Sequence, residues 1–458
     1  MRFTFREMCA YMNISDEQIN SKSKDVLDGQ VKKVVIDSRL IQPGDVFFAF
    51  RGDRVNGEDF VEAALAADAT AVIVSQDYQG VKSPKIIPVE DVQWSLQELA
   101  KGYRKSLNMP IVAISGSVGK TSTKDLMAHV LSDQLKVFKT KGNFNNELGL
   151  PLMILELDST WDVAVLEMGM NHAGELERLV DIATPKIAVL TNIGTAHIEF
   201  FGTREGIFKA KMELASRLKH NEVLILNGQD DLLATVLEKG SHAELPYRTQ
   251  GIGRVGDVFW SQDEHMTLDG THFTLCSTKG QRQAFLPLCG HHHILNALLS
   301  LTVAAELGLD LDKALNALAT VSTTSMRFEK VFVGPCFWIN DAYNASIDSM
   351  IPAVETLVAI SDCEPWVVFG DVFECGDLSA SIHTQIGLDL NKYALSGVIF
   401  IGHAMLHAFK AYSGNKYHYS SVEAFLLEGQ HLILGNKNVL FKASRGMSLE
   451  RIIKHYQE

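Results

Sequence analysis

The sequence predicts an α/β protein of three domains, and three observations carry that reading. Short apolar runs recur along the chain, each ending in Gly or polar residues. Helical stretches separate most of these runs, the alternation that builds parallel sheets covered on both faces. At 458 residues the chain exceeds one ordinary domain. A composition of 46% apolar and 21% charged residues places it among globular chains.

The first block covers residues 1–107. "VVIDSR" and "TAVIVSQ" read as short buried strands, with a helix "GEDFVEAALAADA" between them. It closes on "SLQELAKGYRKSL", where Leu96, Leu99, Ala100, Tyr103 and Leu107 share a helical face before Pro110. The second block covers 108–320. "PIVAIS", "DVAVLEMG" and "KIAVLTNIG" are buried strands of a mostly parallel sheet. Residues 255–290 alternate polar and apolar around Asp269-Gly270, an antiparallel hairpin pattern. The third block, 323–458, has strands in "CFWINDAYN", "WVVFGDV", "GVIFIGH" and "NVLFKASRG". It reads as a second open, Rossmann-like sheet, in which ligands sit at the carboxyl ends of strands. Asp341, Asn344, Asp371, His403, Lys442 and Arg445 stand at those ends.

The net charge of −13 argues against a nucleic-acid binder, which needs a basic face. The six cysteines are scattered with no C-x-x-C pair, so reduced thiols are expected. The N-terminus has no apolar signal core, and no run reaches the roughly 18 apolar residues of a membrane helix. A cytoplasmic chain without an integral membrane segment is expected.

The strongest chemical signal is "AISGSVGKTSTKDLM", residues 113–127. A strand runs into "GSVGKTST" and then into a helix with Leu126, Met127, Val130 and Leu131 inward. Backbone N–H groups at a helix N-terminus converge on an anion, and the helix dipole adds about half a positive charge. Gly116 and Gly119 let the backbone wrap phosphates, Lys120 reaches the β and γ phosphates, and Thr121 can ligate Mg²⁺. The usual Gly six residues before the Lys is Ile114 here. Glu167 follows the strand Val163 to Leu166, where a carboxylate is either a metal partner or a helix cap. His197 follows the third strand and Lys211 lies 14 residues later. Taken singly, these two read as a core histidine and a solvated lysine.

In combination, these stretches resemble the Mur ligases, ATP-dependent amide-forming enzymes of peptidoglycan precursor synthesis. Their loop is the shorter G-x-x-G-K-[ST], which accounts for Ile114. The resemblance spans almost the whole chain: "GSVGKTSTK", "GNFNNELGLPL", "LEMGMNHAGEL", "TNIGTAHIEFFGTREGI", "NDAYNASIDSM", "FGDVFECGDLS" and "KASRGMSLE". "DSRLIQPGDVFFAFRGDRVNGEDF" is shared with the ligase of the preceding step. "DAYNASIDSM" and "KASRG" point to the branch that joins D-alanyl-D-alanine to UDP-N-acetylmuramoyl-tripeptide.

The resemblance implies roles residue by residue. Gly116, Ser117, Val118, Gly119, Lys120, Thr121 and Ser122 bind ATP, with Asn296 at the adenine and Arg327 and Asp341 reaching the nucleotide from the third domain. Thr121, Glu167, His197 and Lys211 match the surroundings of Mg²⁺, Lys211 as a carbamylated lysine. Lys120, His197 and Lys211 are the catalytic candidates. Asp37, Ser38, Arg39, Asn56 and Gly57 match the UDP-sugar segment. The chain departs from the family pattern at Met326 (Gly), His293 (Asn), Ser346-Ile347 (Asn-Pro) and Ala443 (Gly). The run His291-His292-His293 could suggest a metal site, but adjacent side chains diverge.

The implied reaction phosphorylates the tripeptide carboxylate with ATP, and the dipeptide amine attacks the acyl phosphate. Lys120 and Mg²⁺ offset charge as two anions approach, so positioning and electrostatics carry the rate. A monomer whose third domain closes on the nucleotide is expected. The alternatives are a folylpolyglutamate synthase or the tripeptide-forming ligase from the same superfamily, and a P-loop switch that hydrolyses nucleotide without an amine substrate. The N-terminal "DSRLIQPGD" has no purpose in a folylpolyglutamate synthase.

Overall fold

The computed structural model describes residues 3–15, 19, 27–52, 55–240, 245–322 and 325–457. Asp53 and Arg54 of the N-terminal motif, and Met1 and Arg2, lie outside these described residues. The chain divides into two compact units. One comprises Met1–Ala113, Leu135–Ile187 and Glu213–Leu218; the other comprises Ile114–Gln134, Ala188–Met212 and Lys219–Glu458.

The first unit holds a parallel sheet in the order β1-β2-β3-β4, made of β1 (Val34–Val35), β2 (Val46–Phe48), β3 (Ala71–Ser75) and β4 (Ile86–Val89). The strand expected over "VVIDSR" is only two residues long. It stops because Asp37 caps a 3-10 turn, Ser38–Leu40, by accepting from Arg39 N–H. The helix of "SLQELAKGYRKSL" runs Val92–Arg104 and buries Leu96, Leu99, Ala100 and Tyr103. It ends short of Leu107 because the buried Arg104 guanidinium turns back onto the carbonyls of Ala183, Leu107 and Met109. The chain past the helix is thereby folded against its own end.

The second sheet has the order β10-β9-β8-β5-β7-β6. Its strands are β5 (Ile111–Ser115), β6 (Val137–Lys139), β7 (Val163–Glu167), β8 (Ile187–Leu190), β9 (Val223–Asn227) and β10 (Arg248–Ile252). β5, β7, β8 and β9 are buried throughout, as two-sided parallel strands require. In the first unit Ala164 N–H donates to Pro110 O; in the second, Thr191 N–H donates to Ser115 O. The hairpin region forms β11 (Trp260–Thr267), β12 (Gly270–Ser277) and β13 (Gly280–Leu286), all antiparallel.

The last sheet has the order β14-β15-β19-β16-β17-β18: β14 (Glu329–Val333), β15 (Cys336–Asn340), β16 (Glu364–Gly370), β17 (Gly397–Ile401), β18 (Lys416–Tyr419) and β19 (Lys437–Lys442). It is parallel except for β14. Side chains alternate between its two faces. Ile339, Val367, Phe369, Val398, Phe400 and Leu440 enter one core. Trp338, Val368, Ile399, Ile401, Val439 and Phe441 enter the other.

One expectation is corrected here. Cys336 and Cys363 form a disulfide with Cα atoms 6.4 Å apart, while Cys9, Cys276, Cys289 and Cys375 are free and buried. The 27-residue spacing hides the pairing. β15 and β16 both pair with β19, on opposite sides, and the two cysteines stand at the same end of it. Among the described residues, no helix is long and apolar enough to cross a membrane.

Candidate functional site

The phosphate loop lies between β5 and the helix Lys120–Ser132. Its glycines are dictated by neighbours as well as by φ. At Gly116 (φ +149°) a Cβ would fall 1.9 Å from Thr191 Oγ1. At Gly119 (φ +84°), the residue capping the helix, a Cβ would stand 3.2 Å from Asn296 Oδ1. The end of β8 therefore presses on the loop, and the buried Asn296 on helix His291–Glu306 sits beside it.

Hydrogen bonds hold the loop open as a backbone cradle. Ser117 N–H donates to Asn192 O (3.0 Å) and Val118 N–H to Asn192 Oδ1 (2.9 Å). Thr191 Oγ1 donates to Val118 O (2.6 Å), and Gly194 N–H to Ser117 Oγ (2.9 Å). Lys120 Nζ folds back onto the carbonyls of Gly116 (2.7 Å) and Ser117 (3.3 Å). Its cation thus stands over the loop, where phosphate oxygens belong.

The third block meets this loop within the second unit. Arg327 Nη2 donates to Thr121 Oγ1 at 3.0 Å, and its guanidinium lies 4.1 Å over the Tyr343 ring. The flanking Met326 (φ +59°) and Phe328 (φ +54°) are left-handed. Met326 keeps the backbone geometry that a glycine adopts freely, which is how the departure there is accommodated. Asp341 accepts from the buried Lys442 Nζ (2.6 Å) and from Phe328 N–H (3.1 Å). It braces the chain that carries Arg327. Asp348 Oδ2 accepts from both the N–H (2.6 Å) and the hydroxyl (2.7 Å) of Thr195. Ser346 heads the helix Ile347–Ile360 in a reciprocal box with Ser349.

His197 (φ +65°) lies 2.7 Å, Nδ1 to Oε2, from Glu374 (φ +59°). The contact is close but off the straight N–H···O line, and His197 Nδ1 makes no hydrogen bond there. It holds the Glu374 carboxyl below its usual range, against partial burial, with further help from the charges of His197 and Lys120. A cleft of about 290 Å³ opens between these parts, with Lys120, His197, Tyr343, Asn344, Glu374 and Arg445 among its walls. Lys211, on helix Arg204–Met212, is fully buried. Burial, and then the charge of Lys120, push its amine well below the ordinary lysine range.

The remaining expected residues belong to the first unit. Glu167 ends β7, buried, accepting from Asn145 Nδ2 (2.8 Å) while its own N–H donates to Thr140 Oγ1 (2.9 Å). Asp37 chelates its neighbour Arg39. Asn56 caps the turn Gly57–Phe60 by accepting from Glu58 N–H, and a Cβ at Gly57 would fall 2.7 Å from Phe50 backbone atoms. Ser38 opens the Ser38–Leu40 turn.

The three histidines split as their divergent directions require. His291 bonds Glu264 and Gln229, whereas His293 is buried with neither ring nitrogen paired. Burial pushes His293 down to about 4. Among the described residues, no group of three His, Cys, Asp or Glu is placed to hold a metal. The expected magnesium set contains Glu167 and His197 alone of those types. Mg²⁺ prefers oxygen donors. The Thr121 hydroxyl and Glu167 carboxylate suit it, and Lys211 suits it only as a carbamate. Sequence reasoning missed Tyr343, Asp348 and Glu374 as site residues. All three stand inside the motifs "NDAYNASIDSM" and "FGDVFECGDLS", so the signal was present without a role attached.

Two family models match the chain: the Mur ligase middle domain over residues 114–304, and the Mur ligase family, catalytic domain, over residues 30–104. The UDP-N-acetylmuramoyl-tripeptide–D-alanyl-D-alanine ligase of Bacillus subtilis is 35% identical over 92% of each chain. MurF from Acinetobacter baumannii superposes with a TM-score of 0.90 at 27% identity, covering 99% of this chain and 98% of that one. The Thermotoga maritima MurF ligase in complex with ADP superposes with a TM-score of 0.85 at 30% identity, covering 95% and 98%. With a phosphate loop, a facing third block and relatives matched end to end, the chain belongs to the Mur ligase family.

Proposed function

We infer that the chain is an ATP-dependent, ADP-forming peptide ligase that joins D-alanyl-D-alanine to UDP-N-acetylmuramoyl-tripeptide in peptidoglycan precursor synthesis. The observation that carries this is the cleft where Lys120 of the phosphate loop faces Asn344 and Arg445 of the third block. A switch that only hydrolyses nucleotide has no use for that second wall.

A carboxylate is a poor electrophile, and its approach to a triphosphate is opposed by charge. Lys120 and Arg327 are the side chains that offset it, and the loop N–H groups hold the phosphates in line. Asn296 stands beside the loop for the base. Asp37, Ser38, Arg39, Asn56 and Gly57 present the UDP-sugar. The blocks 1–107, 108–320 and 323–458 divide the three ligands between them, and limited proteolysis should cut near 107 and 322. Mg²⁺, held by Thr121, Glu167, His197 and a carbamylated Lys211, would neutralise phosphate charge. The lowered Lys211 amine is the form that reacts with CO₂. A carbamate signal from ¹³C-bicarbonate, lost in Lys211→Arg, checks this. The chain works as a cytoplasmic monomer, which sedimentation and cell fractionation test.

The deciding experiment is phosphate release from ATP plus UDP-N-acetylmuramoyl-tripeptide, with and without D-alanyl-D-alanine. Release should require the dipeptide and yield the pentapeptide. Release that ignores the dipeptide refutes the ligase reading. Lys120→Ala should lower turnover at least about a hundredfold; full activity in that variant refutes the site.

A further inference from the structure

A dipeptide that attacks through its amine carries a second charge to be placed. The amine must reach the activated carboxyl near Lys120 and the phosphates. The dipeptide's own carboxylate is repelled by those phosphates, so a cation elsewhere on the cleft has to hold it. Among the described residues lining the cleft, Lys120 and Arg445 are the two lysine or arginine side chains. Lys120 is folded onto the phosphate loop. Two nearby cations of the third block are engaged: Lys442 with Asp341, and Arg327 with Thr121 and the Tyr343 ring. Arg445 is the cation left for a carboxylate.

Its setting is that of a held receptor. Arg445 opens the turn Arg445–Met447 just past the carboxyl end of β19, where open α/β sheets bind ligands. Nη1 is anchored from behind by Glu450 Oε1 (2.7 Å) and touches Met326 Sδ (3.6 Å). The Glu450 side chain is 11% exposed and that of Arg445 55%, so the guanidinium is fixed at its inner end and open at its outer one. Among the described residues, Nε and Nη2 meet no acceptor. That edge is the fork that grips a carboxylate with two parallel bonds. Its neighbours suit the rest of a dipeptide. Asn344 Oδ1 accepts from Ala345 N–H (2.9 Å), which fixes the amide and leaves its Nδ2 donors for a peptide carbonyl. The half-exposed Phe373 ring packs on Gly446, where a Cβ would fall 2.6 Å from Cε2, and offers an apolar face to a methyl side chain.

We propose that Arg445 is the receptor for the C-terminal carboxylate of the incoming dipeptide, with Asn344 donating to its peptide carbonyl. The inference rests on the ligase reading and deepens it. Anchoring at that end points the amine toward Lys120, so Arg445 selects a substrate with a free carboxylate and sets its direction.

The test compares D-alanyl-D-alanine with its C-terminal amide, which has the same shape without the charge, in the full chain with saturating ATP and UDP-N-acetylmuramoyl-tripeptide. Wild type should favour the acid over the amide by about ten- to a hundredfold in kcat/KM, the range of a charge-assisted pair. Arg445→Gln should bring that ratio to within about threefold of one, and Arg445→Lys, which keeps the charge but not the fork, should fall between. Each ratio is taken on one preparation, so any loss of folded protein cancels. A wild type that does not distinguish acid from amide overturns the proposal. So does an Arg445→Gln ratio as large as that of wild type, and so does a loss falling equally on both substrates, which would make Arg445 a structural partner of Glu450 alone. These outcomes leave the ligase reading standing. A wild type that makes no product from the dipeptide refutes that reading and this one with it.

Discussion

One carboxylate oxygen, Asp348 Oδ2, accepts both the N–H and the hydroxyl of Thr195, 153 residues earlier in the chain. A Cβ on the adjacent Gly194 would fall 2.4 Å from that same oxygen. Charge-assisted hydrogen bonds contribute roughly 1.5–3 kcal/mol each. Asp348→Ala should therefore cut kcat about tenfold or more, by freeing the loop that carries His197. Gly194→Ala should do the same by pushing Asp348 away. The double variant should be no worse than either single one, because both remove one interaction. Steady-state phosphate release on the three variants checks this.

Arg327 joins the phosphate-loop Thr121 to the Tyr343 ring. Lysine cannot reproduce a flat guanidinium that stacks and donates at once. Arg327→Lys should lower kcat/KM for ATP roughly tenfold, about 1.4 kcal/mol. Tyr343→Phe should be near wild type, since the ring face is what the cation meets, and Tyr343→Ala should lose several-fold. ATP titrations at saturating UDP-substrate read the difference.

His293 makes the fold sensitive to acid. Its folded value is about 4, against about 6.5 for a free histidine. The unfolded chain therefore binds the proton first. The neutral ring contributes no penalty above about pH 6.5, and stability falls as pH drops from there toward 4. The full loss is about 3 kcal/mol, from roughly 2.5 pH units at 1.36 kcal/mol each. His293→Asn should flatten the urea-midpoint profile over that window. A profile equally steep in the variant would show that another group carries it.

The disulfide makes a separate prediction. In denaturant without reductant, alkylation should label four cysteines, and six after reduction. Closing a 27-residue separation constrains the unfolded chain by roughly 3–4 kcal/mol. Cys336→Ala should accordingly lower the melting temperature by several degrees, with kcat unaffected because the pair lies at the opposite end of its strands from Asp341.

Much of the chemistry was legible in local pattern. "GSVGKTST" between an apolar strand and a helix suffices for a phosphate loop, because strand, turn and helix N-terminus are neighbours in sequence. The strands "IVAIS", "VAVLE" and "WVVFG" were legible for the same reason: fully buried strands must be continuously apolar. β10, with "RTQGI", and β18, with "KYHY", carry too little apolar signal to be read alone. They form because a neighbouring strand supplies the ladder.

The sequence by itself determined the α/β class, the family and the identity of the loop, since each depends on residues that lie side by side in the chain. Only the tertiary structure decided which distant groups meet. Glu374 finds His197, Asp348 finds Thr195, Arg327 finds Thr121, and Cys336 finds Cys363. The physical reason is that a carboxylate, a guanidinium or a thiol has no periodicity. Its partner is chosen by sheet order and by where the loops at the strand ends return, and neither is written in spacing along the chain.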